Sequence, residues 1–560
     1  MKGYEAVNAV LRTEGVDDIF ALMSEDNMKL VSALDAGDDV NVVDVRHEQC
    51  AVTMAYAYAK TADTIGVCTV GRGPAVAQTG NALVTARKLG AKMVVIVPTP
   101  AVSPSYAHRD LDSKDFEQDA FLDSTIGRTV DIESPEHVVE RTIEGFRQVR
   151  NGDGPVAIQI PRDILEEELG PSDTDKQLLR EGKRSFQADS PRVQPNPDRI
   201  DAAVELLLDS DISKPPVIVG GLGLRGESTR EAVLELAERL NALLVTTLQA
   251  QGVFGDHPYY LGFCGDYGHD LANQYVIESD YILGFGCSLN PHTTDSGYLF
   301  EDGDAIVHVD ADPAAIEAYT DVDVGIVGDA EQTAEAFLEA VKRLDIDLRG
   351  EYWTSSMRRE IENASPFNEN RSTPQNVLDP RDLALALDEA LPADRTVVMD
   401  GGHFARWVLD GIRVPSPDRF VWTVDFASIG QGVPGGIGAA VGDDSAATIA
   451  FCGDAGCMMS LQEIETAARH DIPVTYVVFN DDALGAELHN MQVSAYDGAE
   501  SAVVEAPEFA AVAEALGATG KTVRSVEEVA ALEDAIPPRN GPLVVDCKVD
   551  PSVRHPNQFE

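Results

Sequence analysis

Two acidic segments in the last third of the chain have residue types and spacing suited to metal and phosphate chemistry. The first surrounds Asp454 with small residues and follows the apolar run Ala447–Phe451. The second, Asn480–Asp482, follows the apolar run Val474–Phe479. Carboxylate oxygens are the ligands that Mg²⁺ prefers, and Mg²⁺ usually links them to the phosphates of a bound molecule. These two segments are therefore candidates for one metal site.

The elements that must position these acids are predicted to form a strand–helix–strand unit. Leu461–His470 lies between the two strands, and its apolar residues share one helical face. Such a crossover joins parallel strands, so both acidic turns lie at one edge of the sheet, about 5 Å apart if the strands are neighbours. Carboxylates that close repel each other unless a cation separates them. The small residues and the start of the helix would offer N–H groups to phosphates. The simpler alternative is two ordinary turns in a very acidic chain.

Glu48 is a third candidate for chemistry. It follows the predicted strand Val40–Val45 and begins a helix rich in Ala, Val and Met. An acid in the first turn of a helix usually complements the helix dipole. An acid in an apolar pocket can instead have a raised pKa and transfer protons. Both interpretations of Glu48 are open at this point.

The chain as a whole divides into three segments that alternate apolar strands with helices, which is typical of parallel α/β sheets. We predict three α/β domains, at 1–170, 199–345 and 379–550, with polar connectors at 171–198 and 346–378. The predicted strands are Val40–Val45, Ile65–Val70, Met93–Val97, Val156–Ile160, Pro216–Val219, Leu243–Thr247, Tyr281–Phe285, Ala305–Val309, Thr396–Met399, Arg419–Trp422, Ala447–Phe451, Val474–Phe479 and Leu543–Cys547.

A glycine pattern in the middle segment has two interpretations, a dinucleotide site or a tight turn. Gly221, Gly223 and Gly226 give the spacing GxGxxG after a strand, which alone is a weak signal for a dinucleotide. A nicotinamide dinucleotide site would also have an acid at the end of the next strand to hold the ribose. That strand ends in Thr246 and Thr247 instead. We therefore favour a tight strand–helix turn over nicotinamide binding.

The charge of the chain is extreme. It has 95 Asp and Glu against 43 Lys and Arg, for a formal net charge of −52. The acids are spread along the whole chain, and nucleic-acid binding is disfavoured because it needs basic surface. Self-repulsion on this scale destabilises a compact state in dilute buffer, and concentrated salt screens it. We predict a protein adapted to high salt, with an acidic interaction surface as the alternative.

The cysteines and the apolar runs indicate the cellular compartment of the protein. None of the seven cysteines has CxxC spacing, and most lie in apolar runs. This favours a reduced, cytoplasmic protein over a disulfide framework or a zinc site. The first 20 residues read as an amphipathic helix rather than a signal peptide. No apolar run approaches the roughly 20 residues of a membrane span.

The acidic segments also carry a family resemblance. Gly453-Asp454-Ala455, followed after 24 residues by Asn480-Asp481, resembles the cofactor motif of thiamine diphosphate enzymes. The stretch 427–438 (ASIGQGVPGGIG) is similar to theirs as well, and the resemblance extends over nearly the whole chain. The most similar group is that of acetolactate synthase, pyruvate decarboxylase and benzoylformate decarboxylase. The resemblance implies the thiamine diphosphate-binding fold, with pyrimidine-binding, central and diphosphate-binding α/β domains.

The resemblance assigns roles in the last segment by position. It implies Mg²⁺ binding by the side chains of Asp454 and Asp481 and by the carbonyl of Ala483. It places Ile429 under the bend of the cofactor. The positions that it implies for the rest of the cofactor site are Gly402, His403, Gly430, Gly453, Ala455 and Gly456. For His403 two interpretations are open, a hydrogen bond to the diphosphate or a cap on the preceding strand. This chain departs from the motif at Ala455, where glycine is usual, and at Asp481, where asparagine is usual. The extra charge at Asp481 puts the metal affinity in doubt but not the site.

Glu48 matches the glutamate that activates the cofactor in this family. The resemblance implies that it hydrogen-bonds the pyrimidine ring and so favours loss of the reactive thiazolium proton. In this family the first segment of one subunit faces the third segment of another. Glu48 and Asp454 would then meet across a subunit interface, which implies a homodimer or homotetramer.

On the substrate side the resemblance implies decarboxylation of a 2-oxo acid, with release of an aldehyde or ligation to a second carbonyl. Glu487 matches a catalytic glutamate of the decarboxylases, and His108 and Glu25 lie near their active-site histidine and aspartate. Arg72 and Arg109 are unranked candidates for binding the substrate carboxylate.

The acetolactate synthase pattern itself is incomplete. Asn490 stands where those enzymes usually have tryptophan, and Leu122 where they have glutamine. FAD occurs in some relatives, but no residue of this chain points to it. The alternatives are a carboligase or lyase acting on aldehydes or acyl-CoA compounds, and a non-catalytic protein of the same fold. The non-catalytic alternative is disfavoured because Glu48 and Asp454 are both present.

Overall fold

The computed structural model describes most of the 560 residues. The described ranges are 1–37, 39–103, 113–152, 154–170, 173–181, 192–209, 214–300, 305–348, 352–367, 376–494, 498–532, 536 and 541–555. In these ranges no helix is both long enough and apolar enough to cross a membrane.

The first sheet has six parallel strands in the order β2-β1-β3-β4-β6-β5. Its central strands are buried on both faces, as expected for a sheet covered by helices. The strands are β1 (Asp18–Ala21), β2 (Asn41–Asp44), β3 (Gly66–Thr69), β4 (Met93–Thr99), β5 (Thr129–Asp131) and β6 (Val156–Pro161). The helices are α1 (Gly3–Glu14), α2 (Met28–Asp35), α3 (Glu48–Thr61), α4 (Pro74–Gln78), α5 (Gly80–Lys88), α6 (Gln118–Thr125), α7 (Val138–Arg150), α8 (Arg162–Glu166) and α9 (Asp173–Glu181).

The second sheet is also fully parallel, in the order β12-β11-β10-β7-β8-β9. The strands are β7 (Val217–Gly220), β8 (Leu243–Thr246), β9 (Tyr260–Phe263), β10 (Tyr281–Phe285), β11 (Ala305–Asp310) and β12 (Val324–Val327). The helices are α10 (Pro197–Asp209), α11 (Glu227–Leu240), α12 (Asp270–Ile277), α13 (Ala330–Arg343) and α14 (Ser355–Asn363).

The third sheet has the order β14-β13-β15-β16-β18-β17, again with all strands parallel. The strands are β13 (Arg395–Met399), β14 (Phe420–Trp422), β15 (Ala447–Gly453), β16 (Val474–Asn480), β17 (Thr519–Val523) and β18 (Leu543–Lys548). The helices are α15 (Pro380–Ala390), α16 (Phe404–Gly411), α17 (Gly432–Gly442), α18 (Asp454–Met459), α19 (Glu463–Arg469), α20 (Gly485–Val493), α21 (Phe509–Ala515) and α22 (Val526–Ala530).

The predicted α/β class with three parallel sheets is confirmed. The helix predicted over Leu461–His470 is present as α19, and a short helix that was not predicted, α18, precedes it. α18 begins at Asp454, directly after β15, and α19 starts at Glu463 after a short turn. The polar residues Ser460 and Gln462 separate the two. Asp454 therefore stands at the junction of strand and helix, with no intervening loop.

The first and third sheets are joined through α3 and α17, which pack very closely. A Cβ atom at Gly438 would lie 2.1 Å from the carbonyl oxygen of Met54, so only glycine fits at this contact. The amide oxygen of Gln431 accepts from Thr53 and Tyr56, each at 3.0 Å, in the buried contact. This packing fixes the start of α3, where Glu48 lies, relative to the third sheet.

The glycines of the middle segment have a packing role. A Cβ at Gly221 would lie 2.1 Å from the carbonyl oxygen of Gly286, and a Cβ at Gly223 would lie 2.7 Å from the Gly286 Cα. At the end of β8, the Thr246 hydroxyl is hydrogen-bonded to Tyr260 at 2.9 Å. These contacts agree with the tight-turn interpretation. All seven cysteines are buried and unpaired.

Candidate functional site

The candidate site lies at the carboxyl edge of the third sheet, where β13, β15 and β16 end side by side. β15 and β16 are paired up to Gly453 and Phe479, so Asp454 and Asp481 emerge from neighbouring strands. β13 ends beside them, since the Asp400 N–H donates to the Phe451 carbonyl at 3.0 Å. The predicted strand–helix–strand unit is therefore present, and it places both acidic turns at one edge of the sheet.

Asp454 and Asp481 form a pair of carboxylates that lacks a counter-charge in the described residues around it. Asp454 is 4% exposed, and its Oδ1 accepts from the Ala455 N–H at 2.6 Å. Its Oδ2 is buried without a hydrogen-bond partner. Burial raises the pKa of Asp454 to about 6. Burial and then the charge of Asp454 raise the pKa of Asp481 to about 7. A divalent cation between the two acids would relieve this repulsion.

The turn after β16 is shaped around Asp481. The Ala483 N–H donates to Asp481 Oδ1 at 3.1 Å. A Cβ at Gly485 would lie 2.7 Å from Asp481 Oδ2, so a larger residue there would displace the carboxylate. The side chain of Asn480 turns away and donates to Asp546 at 2.9 Å. The described residues contain no cluster of three or more His, Cys, Asp or Glu that could hold a metal. A cation here would therefore use two carboxylates, a backbone carbonyl such as that of Ala483, and oxygens from a ligand or water.

His403 lies next to this turn and has an unused nitrogen. The ring is 8% exposed and its Nε2 is buried without a hydrogen-bond partner. It packs against His489, with 4.5 Å between ring centroids, and against Trp407 at 5.5 Å. Burial first, then the nearby His489, His555 and Arg406, lower the pKa of His403 to about 3. The ring is therefore neutral and can donate one hydrogen bond to an anion. The preceding Gly402 is exposed, with φ +135°.

Asp400 organises the glycine loop that carries Ile429, and sequence reasoning missed it. This carboxylate is fully buried and accepts from the N–H groups of Gly401 at 2.8 Å and Gly430 at 3.0 Å. Gly430 has φ +87° and its Cα lies against Met459. The Ile429 side chain stands over Gly401, where a Cβ would lie 3.1 Å from Ile429 Cγ2. The signal was present in the sequence, as an acid directly after a buried strand.

Glu48 is the first residue of α3 and is half-buried. The side chain of His47 caps the helix by accepting from the Gln49 N–H at 3.1 Å. Within the described part of the chain, no hydrogen bond or ion pair joins Glu48 to Asp454 or Asp481.

The residues predicted on the substrate side lie in different surroundings. Glu487 lies in the first turn of α20 and is exposed at the rim of the site. The Glu25 side chain is 73% exposed and lies 4.0 Å from Arg162, its ion-pair partner among the described residues. The next residue, Asp26, is instead buried. His108 and Arg109 lie outside the described residues.

Asp26 is the centre of a charged cluster at the carboxyl edge of the first sheet. Arg72 Nε donates to one oxygen at 3.0 Å and Lys114 Nζ to the other at 2.8 Å. Arg72 and Asp26 have almost no exposed side-chain surface. Arg72, a candidate for carboxylate binding, therefore has a buried acid as its partner.

The two departures from the acetolactate synthase pattern have clear positions. Leu122 is fully buried in the core, and Asn490 is exposed. One helical turn before Leu122, Gln118 accepts from the Gly73 N–H at 3.1 Å and donates to Gln159 at 2.9 Å. Gln118 was not predicted, because an isolated glutamine carries no pattern of its own.

Together these groups fit a phosphate-bearing cofactor held through a cation. Asp454 offers an unpartnered oxygen, and His403 offers a neutral ring nitrogen. Three exposed apolar side chains, Phe426, Met459 and Leu484, surround this edge.

Comparison with known families gives three matches in order along the chain. Residues 1–120 match the N-terminal binding domain of thiamine pyrophosphate enzymes, residues 200–337 their central domain, and residues 400–547 their C-terminal binding domain. Thiamine pyrophosphate is another name for thiamine diphosphate.

Individual proteins are similar over nearly the full length. A protein of Methanocaldococcus jannaschii named "Probable acetolactate synthase large subunit" is 29% identical, over 99% of this chain and 92% of its own. A sulfoacetaldehyde acetyltransferase of Castellaniella defragrans is 28% identical, over 95% and 90%. A thiamine diphosphate-dependent 4-hydroxybenzoylformate decarboxylase of Rhodococcus jostii has the same fold, with a TM-score of 0.80 at 17% identity over 98% and 99% of the two chains.

Proposed function

Because this chain belongs to the family of thiamine pyrophosphate enzymes, we propose that it decarboxylates a 2-oxo acid with bound thiamine diphosphate and Mg²⁺. The product is released as an aldehyde or joined to a second carbonyl, as the name acetolactate synthase implies for the relative from Methanocaldococcus jannaschii. The observation that carries the proposal is the acid pair at the carboxyl edge of the third sheet, formed by the buried Asp454 with its unpartnered oxygen and the partly buried Asp481.

The residues of the third sheet would hold the diphosphate end of the cofactor. Asp454, Asp481 and the Ala483 carbonyl would hold Mg²⁺ and, through it, the diphosphate of the cofactor. His403 would donate from Nε2 to the same diphosphate. Ile429, fixed over Gly401, would support the middle of the cofactor. When bound, thiamine diphosphate supplies the nucleophilic carbon that adds to the oxo group and accepts the electrons left by CO₂.

Glu48 would act on the other end of the cofactor, from a second copy of the chain. Its carboxyl group would exchange a proton with the pyrimidine ring and so promote loss of the thiazolium proton. A homodimer or a larger homo-oligomer is supported by the exposed apolar side chains at the carboxyl edges of both sheets, among them Met23, Val102 and Met459.

The substrate would lie between Glu487 and the first sheet of the partner copy. Glu487 is exposed at the rim, where it can reach a product carbon and deliver a proton. His108 remains a proposed second proton-transfer group. The proposed site of action is the cytoplasm, in line with seven reduced, buried cysteines.

The test is CO₂ release from a panel of aliphatic and aromatic 2-oxo acids, in about 2 M KCl to screen the charge. We expect release that requires both thiamine diphosphate and Mg²⁺. Product analysis then separates aldehyde from a ligated hydroxyketone, and Glu487→Gln should lower the aldehyde share. If the cofactor binds and no 2-oxo acid loses CO₂, the proposal is wrong, and aldehydes or acyl-CoA compounds become the substrates to test.

Salt dependence of stability is a separate prediction, from the net charge of −52. Raising KCl from about 0.1 M to about 2 M shortens the screening length from about 10 Å to below about 3 Å. We expect the melting temperature to rise by about 10 °C or more, since each kcal/mol of relieved repulsion is worth about 2–4 °C in domains of this size. Differential scanning calorimetry measures it, with sucrose as an uncharged control. A melting temperature that does not change with KCl would contradict adaptation to salt.

A further inference from the structure

Glu463, the first residue of α19, is a buried acid that the proposed chemistry does not use. Its side chain has no exposed surface. Its two carboxylate oxygens accept from the backbone N–H of Arg46, at 3.0 and 3.3 Å. The Thr466 hydroxyl donates to it at 2.7 Å. The backbone N–H of His47 and the Cys50 thiol are directed to the same carboxylate.

The groups that Glu463 holds surround Glu48. Arg46 and His47 immediately precede it, and Cys50 lies in the same first turn of α3. Backbone N–H groups at the start of a helix lack partners inside the helix and attract negative charge. Glu463 supplies both an acceptor and a charge from another part of the chain. It thereby fixes the turn that carries Glu48.

Glu463 is itself held in place from the cofactor side. Its N–H donates to the Ser460 carbonyl at 3.0 Å. The Ser460 hydroxyl donates to the Gly430 carbonyl at 2.8 Å, in the loop next to Ile429. A short hydrogen-bonded path therefore runs from the glycine loop of the third sheet to the turn before Glu48.

The neighbouring Glu465 shows what an ordinary surface acid does here. It pairs with the Arg46 side chain at 2.7 Å and with Arg469 at 3.3 Å, and its side chain is 28% exposed. Exposed pairs of this kind contribute about 0–1 kcal/mol. Burying a carboxylate costs free energy unless its hydrogen bonds are made. Surface ion pairing therefore does not explain why Glu463 is buried at the Glu48 turn.

We propose that Glu463 is a positioning residue, which holds the 46–48 turn so that the Glu48 carboxylate meets the pyrimidine ring of thiamine diphosphate in one fixed geometry. The inference rests on the proposed function, because that function gives Glu48 its role. Displacing a catalytic group by about 1 Å can lower its rate roughly 100-fold. Glu463→Gln removes the negative charge and leaves one acceptor oxygen for the N–H groups of Arg46 and His47, and so loosens the turn.

The experiment compares full-length wild type, Glu463→Gln, Glu48→Gln and the control Glu465→Gln. Loss of the thiazolium proton from bound thiamine diphosphate is followed by its exchange with D₂O, using acid quench and proton NMR. We expect Glu463→Gln to slow this exchange by about 10- to 100-fold, with cofactor affinity changed by less than about threefold. In the cofactor-free protein, amide hydrogen exchange of the peptide around residues 44–50 should become faster. Glu465→Gln should match wild type in all these measurements.

The outcomes separate the inference from the proposed function. If Glu48→Gln slows proton exchange and Glu463→Gln does not, the positioning role is wrong and the proposed function stands. If neither variant slows the exchange, or wild type shows none, both are wrong. Should Glu463→Gln fail to fold, Thr466→Val removes a hydrogen bond that orients the same carboxylate. It should slow the exchange in the same direction, and an unchanged rate would overturn the inference.

Discussion

Replacing Glu48 by glutamine is expected to lower kcat by roughly 10²- to 10⁴-fold, the range typical of a positioned proton-transfer group. Glutamine keeps the shape of the side chain and its place at the start of α3, but it cannot exchange a proton with the pyrimidine ring. The diphosphate and Mg²⁺ contacts lie on the third sheet, so cofactor affinity should change by less than about threefold. The measurement is kcat with the best substrate of the panel, together with a titration of thiamine diphosphate.

The control for this variant is Glu465→Gln, which also turns a carboxylate near the Glu48 turn into an amide. It should keep wild-type kcat, because the described contacts of Glu465 are partly exposed ion pairs with Arg46 and Arg469. An undiminished kcat in Glu48→Gln would remove Glu48 from the chemistry. Equal losses in kcat and in cofactor affinity would mean that Glu48 mainly binds the cofactor.

How much of this arrangement is predictable from sequence depends on whether the signal is local. Thirteen of the described strands were predicted, and four of the five missed strands, β5, β9, β12 and β17, lie at sheet edges. Edge strands are partly exposed, as in the alternating burial of β17, and lack a continuous apolar run. The fifth, β1, is only four residues long.

In the candidate site, too, the residues with a local sequence signal were predictable and those without one were not. Asp454 and Asp481 were predictable because each acid directly follows an apolar strand in a crossover unit, and the topology of such units is restricted. The contact between Glu463 and the Arg46 N–H could not be predicted from the sequence, because 417 residues separate its partners. At Glu25 and Asp26, adjacent acids cannot be ranked by sequence alone, because burial depends on which one faces Arg72.

Replacing Asp454 by alanine should abolish the metal site. Loss of a residue that only hydrogen-bonds to a metal ligand lowers metal affinity about 10- to 100-fold, so loss of the ligand itself should lower the Mg²⁺ affinity by more than that. Retention of thiamine diphosphate should be lost with the metal, because Mg²⁺ links the protein to the diphosphate. The metal-free protein should not melt earlier, since the substitution removes a buried carboxylate that repels Asp481. Titration of Mg²⁺ at saturating thiamine diphosphate measures the change, followed by tryptophan fluorescence, to which Trp407 beside His403 contributes.

Asp482→Asn is the matched control. It also removes one negative charge, but from an exposed residue next to Asp481. Asp482 has φ +56°, a conformation that asparagine tolerates, and its carboxylate accepts only the Ala506 N–H among the described contacts, at 2.9 Å. It should bind Mg²⁺ nearly as wild type does. If Asp454→Ala retained wild-type affinity for Mg²⁺, the cation would bind elsewhere and the assignment of the acid pair would be wrong.

The Glu48 and Asp454 variants together test whether the site is shared between subunits. Each variant alone should be nearly inactive. Unfolding and refolding an equal mixture should give hybrid dimers in which one site carries both substitutions and the other carries neither. With half of the dimers hybrid and one intact site in each, activity should return to about a quarter of wild type. A site built within a single chain cannot be rescued in this way, because every chain in the mixture carries one of the two substitutions. Recovery would therefore establish that Glu48 and Asp454 meet across the interface, and its absence in well-refolded hybrids would place both residues in one subunit's site.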